Sequence, residues 1–140
     1  MKIVLDCNII VSAALSDGIC RQIILIAIRE HEIVVSGPII DEYVEIANRP
    51  KFTRYRDQLL GLIKQIQLVA VVVEPEDICF EIADPDDEVY LTTAAAGDAA
   101  VITGNTKDFS QPYYGLVKIF TPRAFVEAIT IQTENHSEKG

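Results

Sequence analysis

Histidine and cysteine are scarce in this chain, and their placement excludes two common ways of organising a small protein. His31 and His136 stand far apart, and Cys7, Cys20 and Cys79 form an odd, scattered set. No Cys/His pair has the spacing of a zinc site. Three such thiols suit a reduced compartment better than a disulfide framework. Cations are short as well: 12 Lys and Arg stand against 21 Asp and Glu, a formal net charge of -9. That balance argues against a basic surface that grips nucleic acid non-specifically. It still allows a nucleic-acid enzyme whose acids are partly neutralised by metal. No apolar stretch reaches membrane-spanning length without interruption. The N-terminus offers one Lys and then a strand, with no small-residue cleavage pattern, so no signal peptide is expected. These absences predict a cytoplasmic protein without membrane association. No internal repeat, low-complexity tract or linker divides the chain.

What is present is a core. The chain has 140 residues, 49% of them hydrophobic, enough for one compact domain. We place it at residues 1–132 and expect a disordered polar tail over 133–140. Ile3-Val4-Leu5 reads as a short buried strand. A loop around Asp17-Gly18 follows. Cys20, Ile23, Ile24, Ala27 and Ile28 then recur at helical spacing over residues 19–30. Ile33-Val34-Val35 is a strand, and Ser36-Gly37-Pro38 starts a helix that ends before Pro50. Leu59, Leu62, Ile63 and Ile66 mark another helix, and Val69 to Val73 a third strand. Asp84-Pro85-Asp86-Asp87 opens a helix to Ala96 with Gly97 as its stop. Ala100-Val101-Ile102 is a strand, Val117 to Phe120 another, and Thr121-Pro122 begins a last helix to about Ile129. Strands alternating with helices predict a three-layer α/β/α sandwich around a mostly parallel sheet.

Several acids occupy positions where such folds place ligands. Asp6 closes the first strand, at the sheet edge where open α/β folds bind them. A carboxylate beside a core strand is costly unless compensated, so Asp6 either caps a turn or faces a cation. Glu42 borders the apolar stripe of its helix, formed by Ile39, Ile40, Tyr43, Val44 and Ala47, whereas Asp41 and Glu45 fall on the solvated side. The plainer reading of Glu42 is a surface side chain at the stripe's edge. Asp84, Asp86, Asp87 and Glu88 crowd one helix start. Acids there cap backbone N–H groups and favour the helix dipole, and Asp84 suits that role. Four exceed what capping requires, and Asp87 begins the inward face. Thr103-Gly104-Asn105-Thr106-Lys107-Asp108 follows a buried strand and emerges beside Asp6, either as part of a site or as a polar turn. Asp98 precedes that strand and belongs at the opposite edge. Arg49, Lys51 and Arg54, interleaved with Phe52 and Tyr55, suit phosphate contacts, although the aromatics fit a core equally well.

These placements resemble the PIN-domain family, and within it the VapC-like toxins of toxin–antitoxin systems. The matching pieces are Val4-Leu5-Asp6-Cys7-Asn8, Pro38-Ile39-Ile40-Asp41-Glu42, Arg49-Pro50-Lys51-Phe52, Asp84-Pro85-Asp86-Asp87-Glu88 and Val101 through Phe109, in the family's order. The resemblance implies a Rossmann-like, PIN-like sandwich and a metal-dependent endoribonuclease using Mg2+ or Mn2+. It also implies a homodimer, an RNA substrate and an antitoxin protein partner. It assigns catalytic and metal roles to Asp6, Glu42 and Asp87. Its fourth acidic position falls on the uncharged Asn105, which brings in Asp108 as a substitute metal ligand. Asn8, Thr103 and Asn105 take supporting roles, and Arg49, Lys51 and Arg54 contact substrate. Two other readings share the architecture: a catalytically weakened PIN-like interaction module, and a phospho-acceptor receiver domain. The receiver is disfavoured because Cys7, not a second acid, follows Asp6 and no Asp directly follows the third strand.

Overall fold

The computed structural model describes the backbone of residues 1–139 and the side chains of residues 1–131. Six strands form one sheet in the order β3-β2-β1-β4-β6-β5. They are β1 (Lys2–Leu5), β2 (Glu32–Val35), β3 (Val71–Val72), β4 (Ala100–Ile102), β5 (Tyr113–Tyr114) and β6 (Val117–Phe120). All neighbours are parallel except the β5–β6 hairpin. The helices are α1 (Cys7–Leu15), α2 (Ile19–Glu30), α3 (Gly37–Ala47), α4 (Arg56–Val69), α5 (Glu88–Gly97) and α6 (Pro122–Lys139). The α/β/α architecture is as the sequence predicts. Ile3, Val4, Leu5, Val101 and Ile102 have no exposed surface, because parallel strands are covered on both faces.

Some boundaries differ from expectation, for local reasons. The loop at Asp17-Gly18 is present, but the stretch between β1 and that loop, which the sequence pattern left unassigned, is α1, capped by Asp6, whose side chain accepts from the Asn8 N–H. The β-branched run Ile9-Ile10-Val11 conceals that helix, since such residues favour strands. The third strand is shorter than Val69–Val73: α4 continues to Val69, and β3 is a short edge strand with both residues exposed. Gly97 does not cap α5. Asp98 does, in the left-handed conformation with φ 52. Gly97 is needed for close approach instead, since a Cβ there would meet Val34 Cγ1 at 2.6 Å. The acidic helix start is a 3₁₀ turn, Pro85–Asp87, ahead of α5. The β5–β6 hairpin brings in Tyr113–Tyr114, a strand the sequence pattern did not mark. Helix α6 passes the Ile129 end; the expected tail over 133–140 falls on residues whose side chains lie outside the described set.

The sheet order matters for function. The chain leaves β1 toward β2 and β3 on one side, then crosses to β4 on the other. Open α/β sheets bind ligands at such a reversal, beyond the carboxyl ends of the strands on either side, here β1 and β4. Both ends carry polar side chains, Asp6 after Leu5 and Thr103 after Ile102.

Candidate metal centre

Asp6 is 1% exposed and well supported. Thr103 Oγ1 donates to its Oδ2 at 2.6 Å, and the Asn8 N–H donates to Oδ1 at 3.4 Å. Its own N–H donates to the Ile102 carbonyl at 3.0 Å, which carries the β1–β4 ladder one residue past the strands. Asp6 is therefore fixed in direction before anything binds.

Asp84 and Asp87 stand either side of the 3₁₀ turn. Asp84 Oδ1 accepts from the Asp86 N–H at 3.0 Å, the capping role the sequence suggests. The Asp87 N–H donates to the Asp84 carbonyl at 3.0 Å, so the turn also brings these two residues together. Asp108 arrives from the loop after β4. One carboxylate oxygen from each of Asp84, Asp87 and Asp108 lies within 4.8 Å of the others. Asp84 thus belongs to the acid group as well as capping it. Its sequence signal was the Asp-Pro-Asp-Asp spacing, read there as capping alone.

Asp87 Oδ2 is buried and has no hydrogen-bond partner among the described residues. The Asp87 carboxyl is pushed up to about 7, first by burial and next by the negative charge of Asp6. Glu42, half-buried on α3, is also raised: burial is the main cause and Asp6 adds to it, while the Tyr90 hydroxyl and Cys7 thiol oppose it. Asp6 therefore acts electrostatically on both Glu42 and Asp87. Asp41 and Glu45 are exposed, as the helical pattern predicts. The structure does not gather all the expected ligands equally. Asp87 and Asp108 join the tight group with Asp84, whereas Asp6 and Glu42 stand outside it.

The supporting residues form a chain of hydrogen bonds. The Asn105 N–H donates to Thr103 Oγ1 at 3.0 Å, and Asn105 Nδ2 donates to Asp108 Oδ2 at 2.8 Å. Tyr43, which the apolar stripe placed in the core, and Tyr90 on α5 carry polar contacts. Tyr90 is fully buried and its hydroxyl accepts the Cys7 N–H at 3.2 Å, while the Tyr43 O–H donates to the Leu5 carbonyl. Both phenols are raised above their ordinary range, mainly by burial. Asn8 is exposed at the start of α1.

Arg49 shares an open cleft of about 530 Å3 with Asp41, Glu42, Glu45 and Asp86, and its Nη2 pairs with Glu45 Oε1 at 3.2 Å. Lys51 and Arg54 are exposed next to Phe52 and Tyr55, with the cations 5.0 and 5.9 Å from the ring centres. Both aromatics pack partly against the core. Among the described residues, the ion pairs are Arg21–Asp17 and Arg49–Glu45, so no side-chain cation neutralises the Asp84–Asp87–Asp108 group.

This donor set fits a divalent metal. All three carboxylates offer hard oxygen atoms, the preference of Mg2+ and Mn2+, and a buried carboxylate oxygen without a partner is relieved by a proton or by a cation.

The family profile of the PIN domain matches residues 2–107. The chain belongs to the PIN-domain family. The receiver-domain alternative is thereby set aside. An uncharacterized protein of Methanocaldococcus jannaschii, MJ1680, is 25% identical, over 91% of this chain and 90% of that protein. Solved PIN-like neighbours include VapBC2 from Rickettsia felis bound to a promoter DNA fragment (14% identity, TM-score 0.61, 86% of this chain and 98% of that one). Two others are VapBC-1 from nontypeable Haemophilus influenzae (16%, 0.58, 88% and 99%) and DNA-bound VapBC from Salmonella typhimurium (15%, 0.60, 87% and 98%). At these identities the neighbours establish the fold. No single helix among the described residues is long and apolar enough to cross a membrane.

Proposed function

We propose that this PIN domain is a metal-dependent endoribonuclease, the toxin component of a toxin–antitoxin pair. The observation that carries the reading is the buried, unpartnered Asp87 Oδ2 beside Asp84 and Asp108, at the carboxyl edge of a PIN sheet. Asp84, Asp87 and Asp108 would hold a divalent ion, Mg2+ or Mn2+, with Asp6 and Glu42 completing the anionic wall. When bound, that ion offsets charge on a phosphodiester and acidifies water.

The chain's own residues do the rest. Asp6, locked by Thr103 and Asn8, keeps its negative charge fixed at the end of β1. Glu42 carries a raised affinity for protons and lies outside the tight group. It suits acceptance of the proton that water loses as its oxygen bonds to phosphorus. The P–O3′ bond breaks as the water oxygen bonds to phosphorus; the O3′ leaves with the electron pair and takes a proton from solvent, giving a 3′-hydroxyl and a 5′-phosphate. Arg49 reaches the same cleft as Glu42 and meets a substrate phosphate, with Lys51 and Arg54 extending the contact. A bound divalent ion, together with the exposed Lys51 and Arg54, would offset the acidic charge that RNA meets. The VapBC character of the structural neighbours supports an antitoxin protein partner, and a homodimer and a cytoplasmic location complete the reading.

The test is RNA cleavage with Mg2+ or Mn2+, alongside calorimetric metal titration. The wild-type chain is expected to bind metal and to cleave, and Asp6→Asn to abolish cleavage. Undiminished cleavage by carefully purified Asp6→Asn removes this mechanism. Absence of both metal binding and cleavage favours the interaction module.

A further inference from the structure

We infer that Asn105 is a positioning residue whose amide holds Asp108 in the acid group with Asp84 and Asp87. The inference rests on the metal reading above and deepens it. Asn105 Nδ2 donates to Asp108 Oδ2 at 2.8 Å, and the Asp108 N–H donates back to Asn105 Oδ1 at 3.2 Å. An amide side chain suits this reciprocal pair, because it offers a donor to the carboxylate and an acceptor to the backbone. Asn105 is itself held at two points: its N–H donates to Thr103 Oγ1 at 3.0 Å, and its carbonyl accepts the N–H of buried Phe109 at 3.0 Å. Thr103 in turn donates to Asp6. One hydrogen-bonded chain, Asp108–Asn105–Thr103–Asp6, thereby joins the two halves of the site.

The resemblance places an acid at position 105, so Asn105 reads at first as a lost ligand. The geometry points the other way. An aspartate there retains the acceptor but loses the donor, and sets two carboxylates face to face where a hydrogen bond now stands. Asp108 is then driven from its place. Adding a negative charge next to a cation site ordinarily strengthens cation binding; here the opposite sign is expected.

The experiment is Mn2+ titration by calorimetry on the full chain. The variants are Asn105→Asp, Asn105→Ala, Asp108→Ala and the Asn105→Ala/Asp108→Ala double variant, each with a metal-free melting curve. Asn105→Asp and Asn105→Ala are each expected to bind Mn2+ about tenfold more weakly, the scale of losing a ligand-orienting partner. In the Asp108→Ala background, Asn105→Ala is expected to cause no further loss, since its effect passes through Asp108. Equal or tighter binding by Asn105→Asp overturns the inference, as does an undiminished Asn105→Ala effect without Asp108. Should Asn105→Asp fail to fold, the alanine cycle decides. No Mn2+ binding by the wild-type chain overturns the metal reading itself, and this inference with it.

Discussion

Asp6 and Asp87 both begin helices at the same edge of the sheet, yet their surroundings are opposite. Asp6 is almost fully buried and has two hydrogen-bond donors. Asp87 is more exposed overall, but one of its oxygens is buried without a partner. A burial count would rank Asp6 as the more anomalous charge, whereas a hydrogen-bond count ranks Asp87. The second ranking is the physical one, because an unpaired buried polar atom costs more than a paired one. Asp6 is a charge the fold has already accommodated. Asp87 is one the fold leaves for something else to neutralise.

The strongest way to break this contrast is to neutralise each aspartate in turn. Asp87→Asn is expected to lower Mn2+ affinity by about 10²-fold or more, beyond the scale of an orienting partner. The same change is expected to raise the metal-free melting temperature. Carboxylate oxygens within 4.8 Å of one another repel by an energy on the order of 3 kcal/mol at an effective dielectric of about 20, and by less where they are solvated or share a proton. A melting temperature that falls shows that Asp87 is already compensated.

Removing the support of Asp6 is the next largest test. Thr103→Val deletes the 2.6 Å donor and leaves Asp6 Oδ2 bare. A stability loss of about 1–3 kcal/mol is expected by denaturant titration, with Mn2+ affinity lowered about 10-fold or more. No change in either measurement removes the distinction between the two aspartates.

The pH dependence sharpens the contrast further. The Asp87 carboxyl is raised from 3.8 to about 7, so the folded metal-free protein keeps a proton that the unfolded chain releases. That stabilisation is full below about pH 3.8 and is lost as pH rises through about 7. Metal binding must displace the same proton, so Mn2+ affinity rises across the same window. Asp87→Asn is expected to flatten this part of both profiles, read from melting curves and calorimetry at several pH values.

The smallest effects belong to α3. Asp41→Asn and Glu45→Gln alter exposed acids flanking Glu42, and each is expected to change stability by no more than about 0.5 kcal/mol. The exposed Arg49–Glu45 pair adds little at this distance from the core. A large loss of Mn2+ affinity in either variant places the metal nearer the Arg49 cleft than the 3₁₀ turn.

Much of the architecture was legible because periodicity reports burial directly. The stripe through Ile39, Tyr43 and Ala47 identified Glu42 as the inward acid of its helix, and the strand-end positions of Asp6 and Thr103 followed from runs of buried residues. Helix α1 was hidden because β-branched residues served a buried helix. Asp84 was misjudged in part: the pattern exposed its capping role, and only the closed turn, Asp87 N–H to the Asp84 carbonyl, added its place beside Asp87.

The sequence by itself determined a parallel α/β sheet, the edge at which polar residues emerge, and PIN-family membership. These depend on local periodicity and ordered motifs, which can be read along a chain. The tertiary structure alone decided which carboxylates share space, which is hydrogen-bonded and which is left bare. Those outcomes turn on distances of a few ångströms between residues up to a hundred positions apart, and one-dimensional patterns carry no such distances.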